Sequence, residues 1–212
     1  MLVLVDLTMG FPSLWRRSPM MSPYTINCTT LADADHGKGN LTLSSLLDDS
    51  YTYALLQAGP STDGRGHPLL NIANDPTFPA VEFQECNSTF MGYESNQTDN
   101  AGNTLFYGHL VLNRNGKQSC ATRDMGSNVI WTVCDTHDGP PQMRQYWKLT
   151  TNTSSSDPAM VDFVGRPEDE LLPFRSEPTL YTVNGTVAVR ETHFPFGSAE
   201  LPLYQIYLSF TN

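Results

Sequence analysis

The chain has 212 residues, enough to bury a sizeable core in a single domain without structural metals. Its 12 basic and 22 acidic residues give a net charge of -10. That field opposes a phosphate backbone or an anionic membrane surface, so nucleic-acid and membrane-surface binding are excluded classes. No stretch reaches the roughly 18 apolar residues of a membrane-spanning helix.

The chain opens on "MLVLVDLTMGFPSLWRRSPMMSP", a short apolar head interrupted by Asp6. Arg16 and Arg17 follow the apolar part instead of preceding it, the reverse of a secretory signal. Residues 1–22 are therefore read as a pro-segment, a misassigned start or a signal remnant, with Arg16-Arg17 a candidate processing site. The folded domain is expected over 23–212.

Next, 41–56 is the best candidate for a helix, but Thr, Ser, Asp and Tyr break its i, i+3, i+4 stripe. Short alternating runs take its place, at 52–56, 80–83, 105–112, 129–133, 146–150, 179–183, 186–190 and 204–210. Asp63-Gly64 reads as one turn, and Asn184-Gly185 between two β-branched runs as a tight hairpin. The Ser/Thr-rich stretch 150–159 reads as a long polar loop. In the last run Tyr204, Ile206, Leu208 and Phe210 share one face. Fifteen glycines and fifteen prolines spread along the chain agree with an all-β domain, a barrel or a sandwich.

Asn27, Asn40, Asn87, Asn96, Asn152 and Asn184 each head an N-x-[ST] sequon. Six sequons on a chain with few lysines point to a surface built for the secretory pathway. Four cysteines, an even number, fit the same oxidising compartment and allow three pairings. A secreted, extracellular glycoprotein is expected.

Catalytic and metal-binding patterns are missing. Asp33 and Asp35 start like a calcium loop, but Lys38 stands where glycine is needed and Ser44 where the bidentate glutamate belongs. His36, His67, His109, His137 and His193 never fall at metal-ligand spacing. His137 beside Asp135 and Asp138 reads as a solvated turn, and Glu168, Asp169 and Glu170 as a solvated face. No nucleophile elbow, P-loop or dinucleotide fingerprint is present, so no enzyme activity, metal or cofactor is expected.

One stretch carries a resemblance. Residues 107–149 contain Gly108 before an apolar strand, an Asn-Gly turn, Cys120, an apolar strand ending at Cys134, and Gln145-Tyr146-Trp147. This order resembles a ricin B-type repeat, the Gln-x-Trp unit of β-trefoil lectins, in a secreted fungal glycoprotein branch. The resemblance implies one all-β, β-trefoil-like domain with repeats at roughly 45–104, 105–150 and 151–212. It also implies that Trp147 plugs the core, that the Gln145 side chain bonds to backbone, and that Cys120 pairs with Cys134. An upstream copy over 66–87 aligns Leu70 with Cys120 and Cys86 with Cys134, which leaves Cys86 for Cys28. Residues 23–44 then form a leading strand or an arm tied on by Cys28.

The same family binds galactose through an Asp two residues after the first Cys, an aromatic two before the second, and an Asn before Gln-x-Trp. Here Thr122, Thr132 and Arg144 occupy those positions. Upstream they fall on Ile72, with polar Asn71 beside it, and on Gln84. Trp131 lies on the opposite face of its strand and reads as core. The resemblance thus implies a lectin scaffold without its usual sugar site. The expected function is a non-catalytic binding module docked on a secreted partner protein, for example as the small subunit of a fungal heterodimeric laccase. Arg144 and Asn71 are candidate contacts, with Arg144 pairing with Asp135, Asp138 or a partner carboxylate. A lectin with a non-standard glycan site is the alternative, and a protease inhibitor the third option.

Overall fold

A computed structural model describes residues 25–32, 37–46, 54–73, 75, 78–152, 157–164, 174–195 and 204–209. Residues 1–22, Asp33, Asp35, His36, Glu168, Asp169, Glu170 and Phe210 lie outside these, as does the side chain of His193.

Fourteen strands follow in order: β1 (Asn27–Thr30), β2 (Lys38–Ser45), β3 (Ala54–Thr62), β4 (Pro68–Ile72), β5 (Val81–Asn87), β6 (Gln97–Thr98) and β7 (Thr104–Arg114). After them come β8 (Lys117–Arg123), β9 (Val129–Val133), β10 (Trp147–Thr151), β11 (Ala159–Phe163), β12 (Phe174–Val183), β13 (Thr186–Pro195) and β14 (Tyr204–Ser209). Among the described residues there is no α-helix, and a single 3-10 turn covers Pro140–Arg144. The chain is all-β.

The turns explain where strands reverse. Asn115-Gly116 and Asn184-Gly185 hold positive φ at both positions, 53° with 74° and 50° with 77°, the geometry that closes a two-residue hairpin. The β3–β4 and β8–β9 turns share another device. Asp63 Oδ1 accepts the N–H groups of Arg65 and His67 at 2.9 and 2.8 Å. Asp124 Oδ1 accepts the N–H of Asn128 at 2.8 Å, and its Oδ2 takes the Asn128 amide at 2.9 Å.

These matched turns correct the upstream alignment. Asp63 corresponds to Asp124, so Leu70 corresponds to Trp131 instead of Cys120, and both are core residues. The positions equivalent to Thr122 and Thr132 become Ser61 and Asn71, in place of Ile72 and Gln84. Turn chemistry, not cysteine position, sets the register between the β3–β4 and β8–β9 hairpins.

Every strand pairing is antiparallel. β2, β5, β7, β10, β11 and β14 pair in a closed circuit, in that order and back to β2. Closure leaves these six strands no free edge. Three hairpins, β3–β4, β8–β9 and β12–β13, hang from one rim of the ring, where β2, β7 and β11 end and β5, β10 and β14 begin. They meet one another through Leu69 opposite Ile130, Asn71 opposite Ala188, and Asn128 opposite Arg190. The order is thus three successive quartets, β2–β5, β7–β10 and β11–β14, with β1 and β6 added.

The first quartet starts at Lys38, ahead of the expected 45. Leu41 and Leu43 point into the core while Thr42 and Ser44 alternate with them, a strand hidden inside the stretch weighed as a helix. β1 lies along the outer part of β5, and residues 27–30 form the expected arm. Cys28 faces Cys86 across that pairing and is bonded to it. Cys120 is bonded to Cys134, so both pairings are as implied.

The ring and the hairpins enclose one apolar core. Trp147 is fully buried in it, its ring edge-on to Phe163 at 5.3 Å and its indole N–H donating to Ala121 O at 2.9 Å. Trp131 is buried in the same cluster, as its strand face predicted. A smaller cluster of Ile26, Cys86, Met91, Tyr146 and Val164 seals the β1 arm against the ring.

Candidate functional site

Thr122 and Thr132, two of the three residues at the expected sugar-contact positions, are engaged by hydrogen bonds inside the protein, whereas Arg144 is exposed. Gln145 precedes β10 and its amide oxygen accepts the Asp135 N–H at 2.8 Å. Its amide nitrogen lies 3.0 Å from Thr122 Oγ1, 3.1 Å from Thr132 Oγ1 and 3.0 Å from Val133 O. The two threonine hydroxyls are 2.7 Å apart, and Thr122 also donates to Cys120 O. Hydroxyls on β8 and β9 thus stitch the hairpin to Gln145, two residues before Trp147. Both threonines line a hollow next to this node, but their hydrogen-bonding capacity is largely spent.

The loop between β9 and β10 is pinned from below. Asp138 is buried and accepts Ser88 Oγ, Thr89 Oγ1 and the N–H groups of Thr89 and Phe90. Burial pushes its carboxyl up, but these hydrogen bonds prevail and hold it below the ordinary range. Gln142 donates to the carbonyls of Asp135 and His137 at 2.9 Å each, so its oxygen is left to accept from His109 Nε2 at 2.6 Å. The His109 proton therefore sits on Nε2. Burial lowers the His109 pKa, and the Gln142 bond opposes that only in part. Cys28, Cys86 and His109 come within metal-ligand reach of one another, but both sulfurs are bonded to each other and offer no thiolate ligand.

The three hairpins and the β9–β10 loop surround a hollow of about 820 Å³. Four arginines line it: Arg65 on the β3–β4 turn, Arg123 at the end of β8, Arg144 at the end of the 3-10 turn and Arg190 on β13. Arg190 lies over the Tyr181 ring, 4.4 Å from its centroid, and Arg123 donates to Ser127 Oγ at 2.8 Å. Met125 and Val133 stand at the same hollow, 81% and 82% exposed. Behind it Glu191 is buried, bonded by Ser176 Oγ at 3.0 Å, and burial raises its pKa to about 7.

The sequence-level candidates separate cleanly. Arg144 is exposed at the hollow and pairs with neither Asp135 nor Asp138, because Asp138 is turned inward to Ser88 and Thr89. Asn71, read as a ligand contact, is fully buried where β4 meets β13 and donates toward Val187 O, so it cannot reach a ligand. Arg65, Met125, Val133 and Arg190 carried no sequence motif; only the meeting of the three hairpins assembles them.

The six sequons also fall into a pattern. Asn27 and Asn87 face each other on β1 and β5, Asn40 opens β2, Asn96 precedes β6, and Asn152 follows β10. All five sit at the rim opposite the hairpins, whereas Asn184 alone sits on a hairpin tip. No helix among the described residues is long and apolar enough to cross a membrane. No family model, curated protein or solved structure matches the chain.

Proposed function

We propose that the chain is a β-trefoil of the ricin B-like kind, serving as a non-catalytic binding module of a secreted glycoprotein that docks on a partner protein through its hairpin face. Support for the trefoil comes from the three quartets, the closed six-strand ring and the three hairpins gathered at one rim. Gln145 and Trp147 play the parts that the family gives them, one bonding to backbone and the other filling the core. Two disulfides fit an oxidising compartment.

The observation that carries the docking reading is the hairpin face itself. It is remote from five of the six sequons and exposes Met125 and Val133 beside a hollow. A small non-catalytic subunit of a larger secreted oxidoreductase, as in fungal heterodimeric laccases, is one setting for such a face. A lectin with a non-standard site is the second reading, favoured by Tyr181 lining the hollow with Asp124 and Asn128. Arg190 already covers one face of that ring, which weakens it as a sugar platform. A protease inhibitor has no protruding reactive loop among the described residues to support it.

Purification from the native secretion, with mass spectrometry and a glycan array, separates the two readings. The docking reading expects a stoichiometric partner that is lost with Met125→Asp or Val133→Asp, and no array signal. A monomer that binds one glycan strongly overturns it.

A further inference from the structure

We infer that the hollow takes an acidic peptide segment of the partner, its carboxylates held by Arg65 and Arg144 and an aliphatic side chain resting on Met125 and Val133. The inference rests on the docking reading and adds the chemistry of the surface that is docked.

The chain has nine arginines, and four of them line this one hollow on a molecule of net charge -10. Among the described residues no arginine makes an ion pair with a carboxylate; the carboxylates are met by Lys38 and Lys148 and by the rings of His67 and His137. The hollow has acidic neighbours, but they are engaged elsewhere. Asp63 is taken by the N–H groups of Arg65 and His67 and by the His67 ring. Asp124 is taken by Asn128, and Asp135 by the N–H and ring of His137. These carboxylates hold turns together and form no ion pair with Arg65 or Arg144, while Arg123 feels the charge of Asp124 and the carboxyl of Glu191 at a distance.

The four arginines are not alike. Arg123 and Arg190 are half-buried and anchored, one on Ser127 and one over Tyr181. Arg65 and Arg144 are exposed, on a turn and at the end of a short 3-10 turn. A guanidinium fork matches a carboxylate with two parallel hydrogen bonds, and anchored neighbours add positive potential at little entropic cost. The exposed Met125 and Val133 select among anions. A phosphate ion has no apolar part to cover them and a uronic-acid chain only the C–H faces of its rings, whereas an acidic peptide can place a whole aliphatic side chain there.

Fluorescence anisotropy on the purified full chain tests this with a labelled peptide of glutamates flanking two leucines, and with its glutamine counterpart. The glutamate peptide is expected to bind at least about tenfold more tightly and to weaken as salt rises. Arg65→Gln and Arg144→Gln are each expected to weaken it about fivefold, and Arg114→Gln, on the exposed β7–β8 turn, to leave it unchanged. Equal binding of the two peptides overturns the inference, as does indifference to Arg65→Gln and Arg144→Gln. Tighter, arginine-dependent binding of tetragalacturonate or inorganic phosphate overturns it in favour of another anion. If neither peptide binds while Met125→Asp still abolishes the stoichiometric partner, this inference falls and the docking reading stands.

Discussion

Asn27 and Asn87 face each other directly across the β1–β5 pairing, both exposed and both heading a sequon, one residue away from the Cys28–Cys86 bond. Directly opposed residues of an antiparallel pair project to the same side with Cβ atoms about 5 Å apart. Two branched glycans have no room to leave from such a site.

The first prediction is that a single molecule carries a glycan at Asn27 or at Asn87 but not at both. Intact-protein mass spectrometry combined with glycopeptide mapping reads this, and Asn87→Gln is expected to raise occupancy at Asn27. Full occupancy of both positions in one molecule refutes it.

Gln145 joins Asp135, Thr122, Thr132 and Val133 in a buried node, so Gln145→Ala strands several hydrogen-bonding groups at once. A loss of about 2–3 kcal/mol is expected. Thr132→Val, which removes one hydroxyl of the node, is expected to cost about 1 kcal/mol. Urea unfolding measures both, and a Gln145→Ala protein as stable as the parent rules out the node as a structural element.

Gly108 sits where β7 approaches β5 most closely. A Cβ there would lie 1.9 Å from Gln84 O and 2.8 Å from Cys86 N, both backbone atoms that cannot turn aside. Gly108→Ala is expected to destabilise by about 3 kcal/mol or more, or to prevent secretion of folded protein. Gly116→Ala, at a turn with open space around it, is expected to cost only the strain of a positive φ, about 1 kcal/mol. Thermal melts of the two variants should differ in this order.

His109 and Glu191 give stability opposite dependences on pH. The unfolded chain protonates a histidine near pH 6.5 while folded His109 resists, so its contribution falls as pH drops below about 6.5. Folded Glu191 keeps its proton to about pH 7, whereas an ordinary glutamate loses it near 4.5, so its contribution falls as pH rises from 4.5 through 7. Just below about pH 6.5 the two oppose each other, and only the Glu191 loss continues from there to about 7. Glu191→Gln is expected to flatten that last decline in urea-unfolding experiments run across this range. A decline that persists in Glu191→Gln assigns it to another group.

Much of the architecture was legible before any coordinates. Alternation at 129–133 and 204–210, the Asn184-Gly185 hairpin and the absence of a helical stripe are local signals, written in consecutive residues. Gln145, Trp147 and the Cys120–Cys134 pairing followed from a motif whose parts lie close together in the chain, whereas Cys28–Cys86 came by elimination through the upstream alignment. β2, β4 and β11 were harder to read. β2 runs into a stretch weighed as a helix, and β11 follows directly on a polar loop. The upstream repeat was read in the wrong register because cysteines were aligned where the Asp63 and Asp124 turns should have been.

By itself the sequence determined that this is an acidic, all-β chain with six sequons, two disulfides and no catalytic or metal pattern, because composition, spacing and turn chemistry act locally. Only the tertiary structure decided that Asn71 is buried, that Thr122 and Thr132 spend their hydroxyls on Gln145, and that Arg65, Arg144 and Arg190 share one hollow. Those residues come from three hairpins and the β9–β10 loop, far apart in the chain, and no periodicity along one strand records which turns will meet when a ring of strands closes.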